Sequence, residues 1–130
     1  MEDRRERVER LKIRSVNPAE RTGFQEDWRK VQARFVDDPS GALNDADRLI
    51  GQVMSAEGYP MNEFEQQAAD ISVDHPRVVE NYREGHKIAI NNVQKRATTE
   101  ELRKAMIHYR TLFEDLVGQP EWAQAERTRL

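Results

Sequence analysis

Apolar side chains recur at steps of three and four residues along most of the chain, which is the spacing of one face of an α-helix. The first run predicts a helix from about Glu20 to Val36, and the second predicts one from about Pro39 to Glu57. The apolar positions of the two runs are Phe24, Trp28, Val31 and Phe35, then Leu43, Ala46, Leu49, Ile50, Val53 and Met54. The first half of the chain is therefore expected to fold as two neighbouring amphipathic helices.

The boundaries of the second helix carry local signals. Asp38 is placed to cap it, and Pro39 stands at its first position, where a missing N–H costs nothing. Gly58 follows the last periodic residue, as a C′ glycine does, and Pro60 comes soon after it. These signals predict a sharp start and a sharp end for this helix.

Two further runs occupy the middle of the chain. One predicts a helix that starts near Met61 and ends at the sequence Asp74-His75-Pro76, and the other predicts a helix behind it. Their apolar positions are Met61, Phe64, Ala68 and Ile71, then Val79, Tyr82, His86, Ala89, Ile90 and Val93. Asp74 or His75 can cap the later helix, with Pro76 in its first turn. Alternatively, the two runs form one long helix that is kinked at Pro76.

The last helix is the best marked. Thr98 and Glu101 form a capping box, in which each side chain can accept a hydrogen bond from the backbone N–H of the other residue. Gly118 and Pro120 end the helix. Its broad apolar face consists of Leu102, Ala105, Met106, Tyr109, Leu112, Phe113, Leu116 and Val117. In the polar tail beyond it, Trp122 either pins the tail onto the bundle or contacts a partner.

Residues 1–19 differ from the rest of the chain in their dense, mixed charge. Val8 and Leu11 give only a thin apolar stripe, so we expect a charged arm that is a frayed helix or disordered and that ends at Asn17-Pro18. Its cations are Arg4, Arg5, Arg7, Arg10, Lys12 and Arg14. The arm is either a solvated tail or a basic segment that touches an acidic partner, a lipid or a nucleic acid.

Together these elements predict an all-α fold, a single-domain antiparallel bundle of four to five helices. The bundle should span residues 20–118, between the charged arm of residues 1–19 and a tail of residues 119–130. Apolar residues make up 37% of the chain and charged residues 35%, a balance typical of helices with charged outer faces. Much of the core should consist of Trp28, Phe35, Leu49, Val53, Phe64, Tyr82, Met106, Tyr109 and Phe113.

Composition excludes several functions. The chain has no cysteine, which rules out disulfides, thiolate nucleophiles and cysteine-ligated zinc. The formal charge of −3 argues against nucleic acid as a partner of the whole chain, since phosphate contacts need a basic surface. No apolar run is long enough to span a bilayer, and the N-terminus lacks the apolar region of a secretory signal. We therefore expect a cytoplasmic protein.

Arg103 and His108 are the sharpest catalytic candidates. An Arg followed after four residues by a His on a bundle helix resembles the signature of HEPN ribonucleases, although Lys104 stands where that family usually has a small polar residue. The resemblance implies that the Arg and His of two protomers meet at a dimer interface, where His shuttles a proton and Arg stabilises phosphate charge. The alternative is that both residues are ordinary outward-facing positions.

Other candidate sites have simpler explanations. Asp37, Asp38, Asp45 and Asp47 lack the spacing of an EF-hand, and capping and the helix dipole account for the last three. The three histidines stand in no metal signature, and His86 is expected to be a hydrogen-bonded histidine of the core or its rim. There is no nucleophile elbow and no glycine-rich phosphate loop. We expect neither a metal nor a cofactor.

Two stretches resemble a group of uncharacterised bacterial proteins. The first runs from Trp28 through Val31, Gln32, Phe35 and Val36 to Asp37-Asp38-Pro39, and continues at Ala42, Ala46, Asp47, Leu49 and Ile50. The second runs from Thr99-Glu100-Glu101-Leu102-Arg103 through Ala105, Met106, Tyr109, Arg110 and Leu112 to Phe113 and Glu114. The resemblance implies an all-helical fold and no particular activity, because the group has none assigned.

The leading hypothesis is a non-enzymatic helical interaction or assembly module that binds a protein partner or a second copy of itself. It depends on the lack of a catalytic signature and on the wide apolar faces of the second and last helices. The first alternative is a dimeric HEPN-like ribonuclease that uses Arg103 and His108. The second is an adaptor that binds an anionic surface through the basic residues of the arm.

Overall fold

The computed structural model describes residues 3–60, 63–94 and 96–118. Two of its helices begin with a proline that directly follows a capping residue. Helix α2 spans Pro18–Phe35 and helix α3 spans Pro39–Glu57. Asn17 and Glu20 form a capping box at the start of α2, with hydrogen bonds of 2.8 and 3.0 Å. This box starts α2 two residues before the predicted position. Helix α3 has the predicted bounds.

Three more helices complete the bundle: α4 at Phe64–Asp74, α5 at Val79–Val93 and α6 at Thr99–Val117. A further helix, α1, spans Arg4–Leu11 of the arm. The described residues include no strand, so the all-α prediction is confirmed, and α2–α6 are the five helices of the bundle. Short connections and the cross-helix contacts make α2 and α3, α4 and α5, and α5 and α6 antiparallel neighbours.

Helices α4 and α5 are separate, and neither Asp74 nor His75 caps α5. That prediction is wrong because other parts of the fold bind both side chains. Asp74 accepts a hydrogen bond from the Tyr59 hydroxyl at 3.1 Å, and Nδ1 of His75 lies 2.6 Å from Oδ2 of Asp115 on α6. Val78 holds the N-cap position without a side-chain cap, so Pro76 precedes α5. The predicted start near Met61 lies outside the described residues.

The core lies between α3 and α6, with α2, α4 and α5 around it. Trp28 of α2 stacks on Phe113 of α6 with ring centroids 5.2 Å apart. Phe35 and Phe64 are only partly buried and pack against the core, whereas the other predicted core residues are buried. The predicted capping box of α6 is confirmed, with hydrogen bonds of 3.1 Å in both directions. Pro120, Trp122 and the predicted tail lie outside the described residues.

The arm packs against the bundle. Within the segment that was expected to be a frayed helix or disordered, the structure shows α1 on the surface of α4, with Val8 buried. Beyond α1, Val16 is also buried, and the backbone N–H of Arg14 donates to the Glu57 carbonyl at 2.9 Å. These contacts are long-range, which is why the local charge pattern did not predict them. Fraying of α1 in solution stays a prediction.

Candidate functional surface

Helix α6 presents a solvent-facing stripe with one apolar residue near its centre. Arg103, Ile107, Arg110 and Glu114 stand at positions i, i+4, i+7 and i+11, so they share one side of the helix. Ile107 is 47% exposed, whereas Leu102, Met106, Leu112, Leu116 and Val117 of the same helix are buried. We call these four residues the α6 stripe. The stripe is the feature of α6 that packing within the chain does not explain.

The charges of the α6 stripe are available for other partners. Arg103 has an ion pair with Glu100 at 3.1 Å, but both side chains are about 60% exposed. Such surface pairs contribute little to stability and exchange partners at small cost. Arg110 is exposed, and Glu114 is half-buried at the far end of the stripe. The order of groups along the helix is therefore cation, isoleucine, cation, anion.

The two catalytic candidates, Arg103 and His108, do not converge within one chain. Nδ1 of His108 lies 2.9 Å from Oδ1 of Asn81 on α5, so the ring is turned toward that helix. Arg103 instead pairs with Glu100 at the surface. The two candidates stand five positions apart on α6, which places them roughly 140° apart around its axis. A site that uses both groups would need a second chain.

Three of the four acidic candidates of the α2–α3 region, Asp38, Asp45 and Asp47, have partners within the chain. Asp38 caps α3 through a 3.0 Å hydrogen bond from the Gly41 N–H, as predicted, and this bond lowers the pKa of Asp38. Asp45 and Asp47 lie beyond the first turn of α3, so dipole complementation does not describe them well. Asp45 pairs with Arg34 of α2 at 2.6 Å, and Asp47 accepts from Tyr109 of α6. Within residues 3–60, 63–94 and 96–118, no cluster of acidic or histidine side chains could hold a metal ion.

Sequence analysis did not identify a buried carboxylate on α4, that of Asp70, or the side chains that bind it. Asp70 is 0% exposed, and its Oδ1 accepts from Nε of Arg7 and from Nε2 of Gln66, each at 2.9 Å. Its other oxygen is buried without a hydrogen-bond partner among the described residues. The available signal is that Asp70 lies beside Ala68 and Ile71, which the apolar pattern places inside. A carboxylate at such a position requires a cation from elsewhere in the chain.

Glu57 is the second buried carboxyl group, only 3% exposed at the end of α3. Burial raises its pKa to about 8, and the negative charges of Asp74 and Glu20 add to the effect, while Arg14 opposes it. Oε1 of Glu57 has no hydrogen-bond partner in the described structure. A carboxyl group with this pKa is mostly protonated at neutral pH. It is therefore buried as a neutral group.

The cations of the arm are not all free to bind an anionic surface. Arg7 is occupied by Asp70, and Arg14 binds Glu20 through two hydrogen bonds of 2.9 and 3.0 Å. This pair is the main reason that the pKa of Glu20 falls to about 2. Arg4 and Arg5 are exposed. The fold thus uses part of the predicted basic surface to hold the arm in place.

A groove of about 550 Å³ opens between α3, α4 and α5. His86 lies on its wall with its ring stacked on Phe64, the centroids 3.7 Å apart, so it is a rim histidine held by stacking. The carboxylate of Asp47 and the amide of Gln67, also on the walls, accept hydrogen bonds from buried tyrosines. The groove shows no feature that selects a ligand.

None of the helices in the described part of the chain has the length and apolar character needed to cross a membrane. Comparison of the chain with protein-family models, with curated proteins and with solved structures found no match. The resemblance to a group of uncharacterised bacterial proteins therefore stays a prediction.

Proposed function

We propose that this protein is a non-enzymatic helical interaction module and that it self-associates through the α6 stripe. The observation that carries the proposal is the order of the stripe residues, Arg103, Ile107, Arg110 and Glu114. When α6 of a second copy lies antiparallel to α6 of the first, the charges of one stripe face opposite charges of the other. A contact of this kind is isologous, as in most homodimers, because both chains use the same surface.

The antiparallel arrangement gives each stripe residue a suitable neighbour. Arg103 of one copy faces Glu114 of the other, and this pair occurs twice by symmetry. Between the two ion pairs, Ile107 lies against the aliphatic stem of Arg110, which can cover apolar surface while its charge stays in water. Opposite charges at the ends favour this register over others.

The contact should be reversible. One helix pair buries less surface than a standard stable interface of roughly 1,600 Å². Only one strongly apolar residue of each copy enters it. We therefore expect a monomer–dimer equilibrium that depends on protein concentration and is weakened by salt, since the flanking pairs are exposed.

Sedimentation velocity over a range of protein concentrations tests this proposal. Ile107→Glu should abolish the dimer, because it buries a carboxylate in the centre of the contact. The matched control is Ile90→Glu on α5, an isoleucine of similar exposure, 56%, that lies off the stripe. This control should associate like the original chain. A monomer at high micromolar concentration, or equal behaviour of the two variants, would contradict the proposal.

A charge exchange tests the antiparallel register. Arg103→Glu should weaken the dimer because it places two carboxylates at each end. Adding Glu114→Arg to the same chain should restore association, because each pair of residues 103 and 114 then again combines one positive and one negative charge. Failure of the double variant to recover, with its helix content unchanged by circular dichroism, would exclude this register.

The ribonuclease alternative has less support. Arg103 lies on the stripe, but His108 is turned toward α5 and Asn81, so the proposed dimer does not bring the two groups into one cleft. Cleavage of RNA by the purified protein, lost in His108→Ala, would favour that alternative over a purely non-enzymatic role.

A further inference from the structure

Helix α1 has a narrow attachment to the rest of the protein. Among the described helices it packs against α4 alone. Of its eight residues only Val8 is buried, and Arg7 beside it reaches into the bundle to pair with Asp70. The apolar anchor of the helix is thus a single side chain, next to the cation that neutralises a buried carboxylate.

The chain just after α1 is fixed much more firmly. The Arg14 N–H donates to the Glu57 carbonyl, Arg14 binds Glu20, and Val16 is 4% exposed. Asn17 then caps α2. If α1 moves, the bend must therefore lie between Leu11 and Arg14.

Lys12 occupies this segment in a conformation that an L-residue rarely adopts. Its φ and ψ are 57° and 56°, and it is the one non-glycine residue of the described chain with positive φ. The left-handed conformation is strained for a residue with a Cβ atom, and it occurs at the C-cap of α1, where the Lys12 N–H donates to the Glu9 carbonyl at 3.3 Å. Lys12 is thus the natural hinge.

We propose that α1 is a strap that opens at Lys12 while the bundle stays folded. Opening removes Arg7 from Asp70 and gives solvent, or a cationic group of a partner, access to a carboxylate that is otherwise 0% exposed. The proposal does not depend on self-association through the α6 stripe. In this proposal Asp70 is the latch, meaning that its ion pair with Arg7 holds α1 against the bundle.

The absence of cysteine allows a clean test by thiol labelling of the full chain. Val8→Cys reports on the strap, and Val53→Cys reports on unfolding of the core, since Val53 is 0% exposed. The two variants carry the same substitution in different parts of the protein. In the absence of denaturant the strap thiol should react roughly 100-fold faster than the core thiol, because local opening costs less than global unfolding.

Dependence on denaturant separates the two processes. Addition of about 1 M urea should accelerate labelling of the core thiol strongly and that of the strap thiol little, because the strap exposes little surface when it opens. Equal rates for the two thiols, or a parallel rise of both with urea, would show that α1 is released only when the whole protein unfolds and would overturn the proposal.

The latch is tested by one further substitution with its own control. Arg7→Met in the Val8→Cys chain should increase the labelling rate of the strap thiol about tenfold, because the cation that neutralises Asp70 is lost. Arg5→Met removes an exposed arginine from the same helix and should leave the rate within about twofold. An unchanged rate in the Arg7 variant would exclude Asp70 as the latch.

Discussion

The hydroxyl group of Tyr109 on α6 donates a hydrogen bond to Oδ1 of Asp47 on α3, at 2.8 Å. Tyr109 is 0% exposed, whereas Asp47 lies at the surface. Burial, together with the nearby charge of Asp47, raises the pKa of Tyr109, so its hydroxyl stays a donor at every ordinary pH. The bond ties the two central helices of the bundle together.

Removal of this bond should measurably weaken the fold. We expect Tyr109→Phe to lower the free energy of unfolding by about 1 kcal/mol, because Asp47 is solvated once the hydroxyl is gone. Urea unfolding measures the change. Asp47→Ala in the Tyr109→Phe background should cost little more, since the coupling between the two groups is already lost. Additive effects of the two substitutions would show that the bond contributes nothing.

The ring of Tyr109 leaves no room for a side chain at Gly85 of α5. A Cβ atom at Gly85 would lie 3.2 Å from the ring of Tyr109, which is too buried to move aside. Alanine usually stabilises a helix relative to glycine by roughly 0.5–1 kcal/mol. We expect Gly85→Ala to destabilise the protein despite this preference. The matched control is Gly23→Ala on α2, where nothing lies within 4 Å of the new atom, and this variant should be more stable in thermal unfolding.

Glu57 should make stability depend on pH. Its pKa is about 8 in the folded protein and lies near 4.5 when the chain is unfolded. Between these values the folded state binds more protons, so the free energy of unfolding should fall as pH rises and level off above the folded pKa. Glu57→Gln should flatten this slope, which is measured by urea unfolding at several pH values between the two pKa values. The same substitution at exposed Glu84 should leave the slope unchanged, and a slope retained in Glu57→Gln would show that another group titrates.

Lys12 offers a test of backbone strain. Glycine adopts the left-handed conformation of this residue without penalty, so Lys12→Gly should stabilise the protein by up to about 1 kcal/mol. Lys12→Ala keeps the Cβ atom and should change stability little. Differential scanning calorimetry of both variants separates the effect of backbone conformation from that of the lysine charge. Equal stabilisation by the two variants would assign the effect to the charge.

The bounds of α3 and the start of α6 were predictable from the sequence. Asp38 with Pro39 and Thr98 with Glu101 act over three residues or fewer, so their partners are visible in the sequence itself. The apolar spacing likewise identified most of the core, because a helix has only one face to bury. The all-α fold follows from these local rules. The same kind of rule failed at the start of α5, where Tyr59 and Asp115 compete for the expected capping side chains.

Only the tertiary structure decided which polar groups meet. Arg7 is paired with Asp70 across 63 residues of sequence, and Tyr109 with Asp47 across 62. No periodicity encodes such pairs, because they depend on how helices pack rather than on how each one forms. The docking of α1 and the neutral burial of Glu57 also arise at this level. The sequence by itself determined the helices, and packing determined which surfaces remain for a partner.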